Sequence, residues 1–288
     1  MIRLAVRVSR AHSELVLAEL LELLPDGVEE VDLDAGTVEF AAYGQPGELP
    51  ELPALRAAAG GALVDVSTRE VAEDWAERWR RFHRPVVIQA PPPSGGRDGP
   101  PALRIRPPWE PPAPPGGSAI EEIVIDPGQA FGTGSHATTR LCLELLLELT
   151  GRQPRAGALL DIGTGSGVIA IAASRLGYGP LIALDNDPLS VEAARANARA
   201  NSVQLDVRRV DLRAQPLPQA PGAVVCANLL RPLLLELARA LEQRPPALIV
   251  GGLLRGEEEV VAGAFAAQLG LAELERRCAG EWSAMLLG

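Results

Sequence analysis

The first part of the chain combines strand-like and helix-like hydrophobic patterns. Residues 2–8 (IRLAVRV) alternate apolar and polar side chains, which predicts a β-strand. Residues 11–24 place apolar side chains at helical spacing, with Ser13 as the expected N-cap. Two strands around a turn at residues 34–36, a short helix and a last strand follow. The order β-α-β-β-α-β predicts a small α+β domain of the ferredoxin-like type over residues 1–68.

A charged helical pattern separates this domain from the rest of the chain. Residues 69–85 carry Trp75 and Trp79 four positions apart, so both rings lie on one face of the predicted helix. We therefore predict a helical linker over residues 69–85. A segment rich in proline and glycine follows at residues 91–117, and within it only residues 102–106 favour a strand.

The remaining sequence alternates apolar strand patterns with helix patterns. The predicted strands are 120–126, 157–163, 180–187, 203–211, 222–230, 246–254 and 281–288. Because helix patterns lie between most of these strands, we predict a mostly parallel, doubly wound sheet. The fold class is therefore α/β, with a Rossmann-like domain over residues 86–288 behind the small α+β domain.

Charge and hydropathy narrow the classes of function. The net charge is −10, and all 27 side chains counted as Lys or Arg are arginines. An acidic chain disfavours binding to a nucleic-acid backbone and suits a basic protein partner better. No apolar run reaches the roughly 18 residues of a membrane span. The first residues also lack the pattern of a signal peptide, so we expect a cytoplasmic protein with no membrane association.

The three cysteines give no sign of metal or disulfide chemistry. Cys142, Cys226 and Cys278 are far apart and form no C-x-x-C pair, so the sequence predicts neither a zinc site nor a disulfide framework. We expect all three to be buried, where they act as small apolar residues.

A glycine-rich turn follows the strand at 157–163. In the stretch LLDIGTGSG, Gly163, Gly165 and Gly167 allow the backbone to turn sharply and to approach a ligand closely. The turn lies at the carboxyl edge of a strand, where open α/β sheets bind ligands. Asp185 ends the next strand and can accept hydrogen bonds from both hydroxyls of a ribose. Together these residues predict a ligand that contains a nucleoside.

The glycine spacing distinguishes two classes of nucleoside ligand. A dinucleotide fingerprint reads G-x-G-x-x-G, whereas this loop reads G-x-G-x-G with Asp161 two residues before it. A carboxylate beside the loop repels a pyrophosphate and suits a cationic amine, such as that of S-adenosylmethionine. The pattern resembles that of class I methyltransferases. The resemblance implies that Asp211, which follows a further strand, lies near the adenine.

Asn228 ends the strand at 222–230. Its amide offers two donors and an acceptor at the edge of the sheet. Many methyltransferases that act on planar nitrogens place an Asn or Asp, two prolines and an aromatic residue at this point. Here Asn228 is followed by Leu229 and Leu230, with no aromatic residue. The pattern therefore disfavours a nucleobase or glutamine-amide acceptor and favours an aliphatic amine.

Several stretches together resemble one methyltransferase family. DPGQAFGTGSHATT, DIGTGSG, LDNDP, ARANARAN and ANLL are similar to the PrmA family, the methyltransferases of the eleventh protein of the large ribosomal subunit. The resemblance covers nearly the whole chain. It implies a class I methyltransferase domain on a seven-stranded sheet, with S-adenosyl-L-methionine as cofactor. It also implies a ribosomal large-subunit protein as partner, methylated on lysine ε-amines and on its N-terminal α-amine.

The resemblance also assigns roles to residues. It implies that the loop 131–139 folds over the methionine end of the cofactor. Its cofactor-binding positions correspond to Thr139, Gly163, Asp185 and Asn228.

Within this loop, Gly132 and Gly134 allow the chain to double back, and Phe131 can shield the sulfonium from water. Asn228 and His136 are the candidate catalytic residues, Asn228 by orienting the amine and His136 as a base. A histidine that only orders the loop explains His136 equally well, and the reaction needs no obligatory general base.

Three other functions stay open at this stage. The same fold could methylate another protein or a small-molecule amine. A nicotinamide oxidoreductase is disfavoured by Asp161 and by the glycine spacing. A non-enzymatic module associated with ribosomes is disfavoured by the net charge of −10. The resemblance makes residues 1–68 the substrate-recognition domain.

Overall fold

A computed structural model of the chain forms two compact units. They comprise Met1–His83 with Gly128–Phe131, and Arg84–Pro127 with Gly132–Gly288. The structure describes residues 2–24, 28–34, 36–44, 49–50, 52–70, 83–89, 102–113, 120–128, 130–152 and 157–288. Most of the predicted helical linker, including Trp75 and Trp79, lies outside these residues.

The first unit is a four-stranded antiparallel sheet with two helices. Its elements are β1 (Ile2–Ser9), α1 (Ser13–Leu23), β2 (Glu29–Asp32), β3 (Thr37–Gly44), α2 (Leu52–Ala59) and β4 (Leu63–Glu70). The strand order is β2-β3-β1-β4, and every neighbouring pair is antiparallel. Alternate residues of β1 and β3, such as Val6 and Phe40, share one core with Leu20 of α1 and Leu55 of α2.

Two boundaries in this unit differ from the prediction. A 3-10 turn at Arg10–His12 precedes α1, so His12 occupies the N-cap position and Ser13 is the first helical residue. The Ser13 hydroxyl donates to the Arg10 carbonyl at 3.0 Å instead of capping the helix. β4 extends to Glu70, beyond the predicted limit at residue 68, because its last residues continue to pair with the start of β1.

The second unit contains a small sheet and a large one. The small sheet has the order β5-β6-β7, with β5 (Val86–Ile88), β6 (Ala102–Arg106) and β7 (Ile120–Val124). The remaining elements are α3 (Ala137–Arg152), β8 (Leu159–Ile162), α4 (Val168–Arg175), β9 (Leu181–Asp185), α5 (Pro188–Ala200), β10 (Asp206–Arg209), β11 (Val224–Asn228), α6 (Arg231–Ala240), β12 (Leu248–Leu254), α7 (Glu258–Leu269), β13 (Glu273–Ala279) and β14 (Trp282–Leu287).

The large sheet confirms the predicted α/β class. Its order is β10-β9-β8-β11-β12-β14-β13; the first five strands are parallel, and β14 is antiparallel to both its neighbours. Leu159 packs with α3 and α4, whereas Leu160 packs with α6 and α7, so helices cover both faces. The chain reverses direction across the sheet at β8. This switch point places the carboxyl ends of β8, β9 and β11 around one crevice.

The predicted strand at 120–126 lies in the small sheet as β7 and not in the large sheet. Two further strands were missed by the hydrophobic pattern. β5 has only three residues, and β13 reads ELERRCA, with most of its side chains partly or fully exposed. β13 is an edge strand paired with β14 alone, and charged side chains are common at such edges. Cys278 lies on β13 and is exposed, so the expectation that all three cysteines are buried is wrong for this one. Within the described part of the chain, no helix has the length and apolar character needed to cross a bilayer.

Candidate active site at the carboxyl edge of the sheet

The second glycine loop joins β8 to α4 in a tight turn. Gly163, Gly165 and Gly167 have φ angles of 71°, 54° and 83°, in the left-handed region that glycine adopts without strain. The N–H of Gly163 donates to the Leu184 carbonyl at 2.8 Å, which fastens the loop to the end of β9. The loop therefore presents backbone to the crevice, with no side chain at three of its positions.

Asp185, the last residue of β9, is oriented by two backbone N–H groups. Its Oδ2 accepts from Gly165 at 2.9 Å, and its Oδ1 accepts from Asp187 at 3.1 Å. Burial raises the pKa of Asp185 above its usual range, and these two hydrogen bonds oppose the shift. Each carboxylate oxygen can accept a further hydrogen bond, so Asp185 is equipped to bind the two hydroxyls of a ribose.

Asp161 is fully buried at the end of β8. Its Oδ2 accepts a hydrogen bond from the Thr164 hydroxyl at 2.6 Å. Its Oδ1 is buried and makes no hydrogen bond of normal geometry with any described residue. The pKa of Asp161 is raised to about 7, chiefly by burial and also by the charge of Asp185, while the Thr164 hydroxyl and the Ala170 backbone oppose the shift. A nearby cation would favour the ionised form.

Asn228, the last residue of β11, faces the start of α3. Its Nδ2 lies 3.2 Å from the Thr138 hydroxyl and 3.5 Å from the Thr139 hydroxyl. Both threonines are buried. The Asn228 Oδ1 is also buried, and nothing in the described ranges donates a hydrogen bond to it. The structure thus brings the predicted residues Asn228 and Thr139 together and adds Thr138, which was not predicted.

His136 immediately precedes α3 and contacts the same threonine. Its Nδ1 lies 2.9 Å from the Thr138 hydroxyl and accepts the Thr138 backbone N–H at 3.3 Å. The ring packs edge-on against Trp282, with 5.2 Å between the ring centres. Burial lowers the pKa of His136 to about 4, so the ring is neutral near pH 7.

Small residues make room for the Asn228 amide. A Cβ atom on Gly251 of β12 would lie 2.4 Å from the Cys142 sulfur and 3.0 Å from Asn228 Oδ1. A Cβ atom on Gly163 would lie 2.3 Å from the Leu229 side chain. The end of β11 therefore interlocks with the glycine loop on one side and with β12 on the other.

Hydrogen bonds tie the two glycine loops together. The Ser166 hydroxyl of the second loop donates to the Gly132 carbonyl of the first at 2.6 Å. Asn197 of α5 donates from Nδ2 to the Ser166 carbonyl at 2.9 Å and accepts the Asp126 N–H on Oδ1 at 3.0 Å. One turn later, Asn201 accepts the Val124 N–H at 2.8 Å.

Sequence reasoning missed the roles of Asn197 and Asn201. Both are almost fully buried, and their partners lie more than 70 positions away for the bonds to Asp126 and Val124. The available signal was the repeated ARAN, which spaces the two amides four residues apart and therefore puts them on one face of the helix.

The first glycine loop also has the backbone that was predicted for it. Gly132 and Gly134 have φ angles of 97° and 88°. A Cβ atom on Gly134 would lie 2.7 Å from the Ile105 side chain of β6, so the loop packs closely on the small sheet. Phe131 is 37% exposed and belongs to the first unit. Its predicted role as a shield for the sulfonium stays a prediction.

Asp211 lies just beyond the end of β10. The neighbouring Val210 donates to the Asp185 carbonyl at 2.8 Å, which keeps this turn at the same edge of the sheet. Asp211 Oδ1 accepts the Arg213 N–H at 2.9 Å, and its side chain is exposed. Its predicted contact with adenine stays a prediction. The described residues contain no cluster of His, Cys, Asp and Glu that could hold a metal ion.

Comparisons with known proteins agree with this site. The family described as "Ribosomal protein L11 methyltransferase (PrmA)" matches residues 49–287. A relative of that name from Geobacter sulfurreducens is 40% identical over 278 residues, which cover 91% of this chain and 84% of the relative. Another from Pelobacter propionicus is 41% identical over 224 residues, covering 75% of this chain and 66% of the relative.

A solved structure resembles the chain as well. The crystal structure of a ribosomal protein L11 methylase from Lactobacillus delbrueckii subsp. bulgaricus superimposes with a TM-score of 0.56 and 30% sequence identity. The superposition covers 65% of this chain and 94% of that protein. The α/β unit is therefore similar in fold to a methyltransferase of known structure.

Proposed function

Because the chain belongs to the ribosomal protein L11 methyltransferase (PrmA) family, we propose that it methylates that ribosomal protein with S-adenosylmethionine as the methyl donor. The acceptors are lysine ε-amines and the N-terminal α-amine. The match to the family covers most of the chain, and a single relative aligns over 91% of it. The partner is thus a basic protein of the large ribosomal subunit, which suits a chain with a net charge of −10.

One observation carries the choice of cofactor. Asp161 Oδ1 and Asn228 Oδ1 are buried and accept no hydrogen bond of normal geometry from the described residues, and both residues lie at the carboxyl edge of the large sheet. A buried acceptor without a donor is costly, so such atoms indicate a ligand that donates hydrogen bonds or carries positive charge. The ammonium and sulfonium groups of S-adenosylmethionine have these properties. A pyrophosphate has the opposite charge.

The rest of the edge fits the same ligand. Gly165 lets the ligand approach the backbone, Gly163 leaves room for Leu229 beside the loop, and Asp185 would accept hydrogen bonds from the ribose hydroxyls. Asp211 at the end of β10 would lie on the adenine side, and Thr139 on the methionine side. Phe131 would shield the methyl-transfer end.

Methyl transfer requires the protein mainly to position the reactants and to exclude water. S-adenosylmethionine supplies a methyl group on a positively charged sulfur, which is a good leaving group. The incoming amine must be neutral, because an ammonium has no lone pair, and a buried pocket favours its neutral form. Asn228 Oδ1 has two lone pairs, so besides binding the cofactor it can accept an N–H of that amine and hold the lone pair of the amine toward the methyl group.

His136 has a supporting role in this proposal. Its Nδ1 already accepts hydrogen bonds from Thr138, so the neutral ring carries its proton on Nε2. Its pKa of about 4 also makes it a weak base. His136 therefore orders the start of α3, and the amine loses its proton to solvent.

The first unit is the substrate-recognition domain in this proposal. Its strand order β2-β3-β1-β4, with all pairs antiparallel, supports the ferredoxin-like type. Residues 69–85 link it to the methyltransferase domain over residues 86–288, and the protein acts in the cytoplasm, where ribosomes assemble.

The decisive experiment is methylation of the proposed substrate. Ribosomal protein L11 purified from cells that lack this modification would be incubated with the chain and isotopically labelled S-adenosylmethionine, then measured by mass spectrometry. We expect mass gains in steps of one methyl group, mapped to lysines and to the N-terminus, and none with Asp185→Ala. An unchanged mass, in a chain that still binds the cofactor, would contradict the substrate and leave another amine as acceptor.

A further inference from the structure

We infer that Thr138 is a positioning residue whose hydroxyl fixes the orientation of the Asn228 amide through a hydrogen-bond chain that begins at His136. The inference deepens the proposed function and rests on it, because it concerns the acceptor oxygen that Asn228 presents to the reactants. Thr138 itself touches neither cofactor nor amine in this account.

The direction of each hydrogen bond follows from His136. Its Nδ1 accepts the backbone N–H of Thr138 at 3.3 Å, so this nitrogen carries no proton. The Thr138 hydroxyl, 2.9 Å from the same nitrogen, must therefore donate to it. A hydroxyl has a single proton, so only its lone pairs remain for other neighbours.

Those lone pairs determine how Asn228 is turned. The Asn228 atom at 3.2 Å from the Thr138 oxygen has to be a donor, which makes it Nδ2. Oδ1 then lies beside Gly251 of β12, where it is buried and accepts no hydrogen bond from the described residues. A flipped amide would place Oδ1 against the lone pairs of Thr138 and put Nδ2 where the free acceptor now lies.

His136, the first residue of this series of hydrogen bonds, is itself held in place. His136 packs edge-on against Trp282, and burial lowers the pKa of its ring, so it stays neutral. A protonated ring would donate from Nδ1, reverse the Thr138 hydroxyl and favour the flipped amide. The direction from donor to acceptor is therefore fixed in both hydrogen bonds that link His136, Thr138 and Asn228.

Substitutions at Thr138 test the inference. Thr138→Val keeps the shape of the side chain and removes the hydroxyl, whereas Thr138→Ser keeps the hydroxyl. We expect Thr138→Val to lower kcat/KM for methylation of ribosomal protein L11 by roughly tenfold or more, the scale of one lost hydrogen bond in a buried site. Thr138→Ser should stay within about twofold of the wild type.

The matched control is Thr150→Val on the same helix. The Thr150 hydroxyl donates to the Leu146 carbonyl at 2.8 Å, so it is partly buried and bonded but remote from Asn228. Its loss should leave kcat/KM unchanged. Circular dichroism and thermal unfolding establish that each variant is folded, and Thr138→Ala replaces the valine variant should that one fail to fold.

A double-mutant cycle shows whether Thr138 acts through Asn228. If it does, Thr138→Val should add little to the loss caused by Asn228→Ser. Multiplicative losses in the double variant, or a Thr138→Val variant as active as the wild type, would overturn the inference. A second readout is the dissociation constant of S-adenosylhomocysteine for the wild type, the two single variants and the double variant. Calorimetry measures it without the protein substrate.

The two readouts separate the inference from the proposed function. A wild-type chain that leaves ribosomal protein L11 unmodified contradicts the proposed substrate, while the calorimetric cycle still decides the role of Thr138. Equal affinities for S-adenosylhomocysteine in all four proteins, together with losses in kcat/KM that multiply in the double variant, would contradict the role of Thr138 alone.

Discussion

The Ser166 hydroxyl donates a hydrogen bond to the carbonyl oxygen of Gly132 across 2.6 Å, and both residues are buried. This bond joins the glycine loop at the end of β8 to the glycine loop before α3. Because water cannot replace the lost donor, Ser166→Ala would leave the Gly132 carbonyl unsatisfied. The position of one loop therefore depends on that of the other.

We expect Ser166→Ala to raise the KM for S-adenosylmethionine by roughly three- to tenfold, since both loops would contact the cofactor. Steady-state kinetics at saturating protein substrate measure this change. Gln204→Ala, at an exposed position between α5 and β10 and outside both loops, is the control and should behave as wild type. A Ser166→Ala enzyme with an unchanged KM would show that the two loops are not coupled.

Asn197→Asp should destabilise the α/β unit. An aspartate can still accept the Asp126 N–H, but it cannot donate to the Ser166 carbonyl, and it buries a charge at a residue that is 2% exposed. We expect a loss of roughly 2–4 kcal/mol in the free energy of unfolding, measured by urea titration. Gln204→Ala, an exposed polar residue beyond the same helix, should change it by less than about 0.5 kcal/mol.

Gly251→Ala should disturb the Asn228 amide. The new Cβ would meet the Cys142 sulfur at 2.4 Å and Asn228 Oδ1 at 3.0 Å, so we expect a loss of roughly 1–3 kcal/mol in stability and of most activity. Gly263→Ala is the control, since its Cβ meets nothing within 4 Å inside α7. That change should stabilise the protein by roughly 0.5–1 kcal/mol, the usual gain from alanine in a helix. Thermal unfolding compares the two variants.

Asp161 gives stability a pH dependence of known sign. Its folded pKa of about 7 lies above the usual value of 3.8, so the folded protein binds the extra proton between these limits. The contribution of Asp161 to stability is therefore fully present below pH 4 and is lost as the pH rises to about 7. His136, with its pKa lowered to about 4, contributes a slope of the opposite sign between pH 4 and 6.5.

Comparison of Asp161→Asn with the wild type separates the pH dependence caused by the Asp161 carboxylate from that caused by His136. The free energy of unfolding of the variant, relative to the wild type, should improve by a few kcal/mol between pH 5 and pH 8. Urea titrations at the two pH values measure it. A constant difference would mean that Asp161 is ionised throughout this range.

Cofactor binding should release protons from Asp161. A cation beside its free oxygen lowers the pKa from about 7, so binding near neutral pH expels a fraction of a proton and tightens as the pH rises toward 7. Calorimetry in phosphate and Tris buffers, which differ in ionisation enthalpy, measures the release. Asp161→Asn should show none, and equal heats for the wild type in both buffers would refute the contact.

Hydrophobic patterns and glycine spacing predicted most of the fold because they report burial directly. β8, which precedes the second glycine loop, and β9, which ends at Asp185, are mostly apolar, and the loop needs glycine at left-handed positions. Gly163 and Asp185 could therefore be placed from the sequence. β13 was not predicted because its charged side chains obscure the apolar pattern of a strand. Ser13 was wrongly predicted as the N-cap because a 3-10 turn at Arg10–His12 precedes the helix.

The missed parts of the site share a physical cause. Asn197 and Thr138 act on partners far away in the sequence, and no local pattern reveals such bonds. Thr138 and Thr139 also look alike in the sequence, and only the geometry shows that Thr138 lies between His136 and Asn228.

Both edges of the large sheet carry arginines: Arg208 and Arg209 on β10, and Arg276 and Arg277 on β13. A second sheet approaching either edge would bring guanidinium groups together and strip them of water, which discourages strand addition between molecules. Since the sequence has no lysine, these edge positions contain no ε-amine. The reaction proposed for the enzyme therefore cannot modify the side chains that protect its own sheet edges.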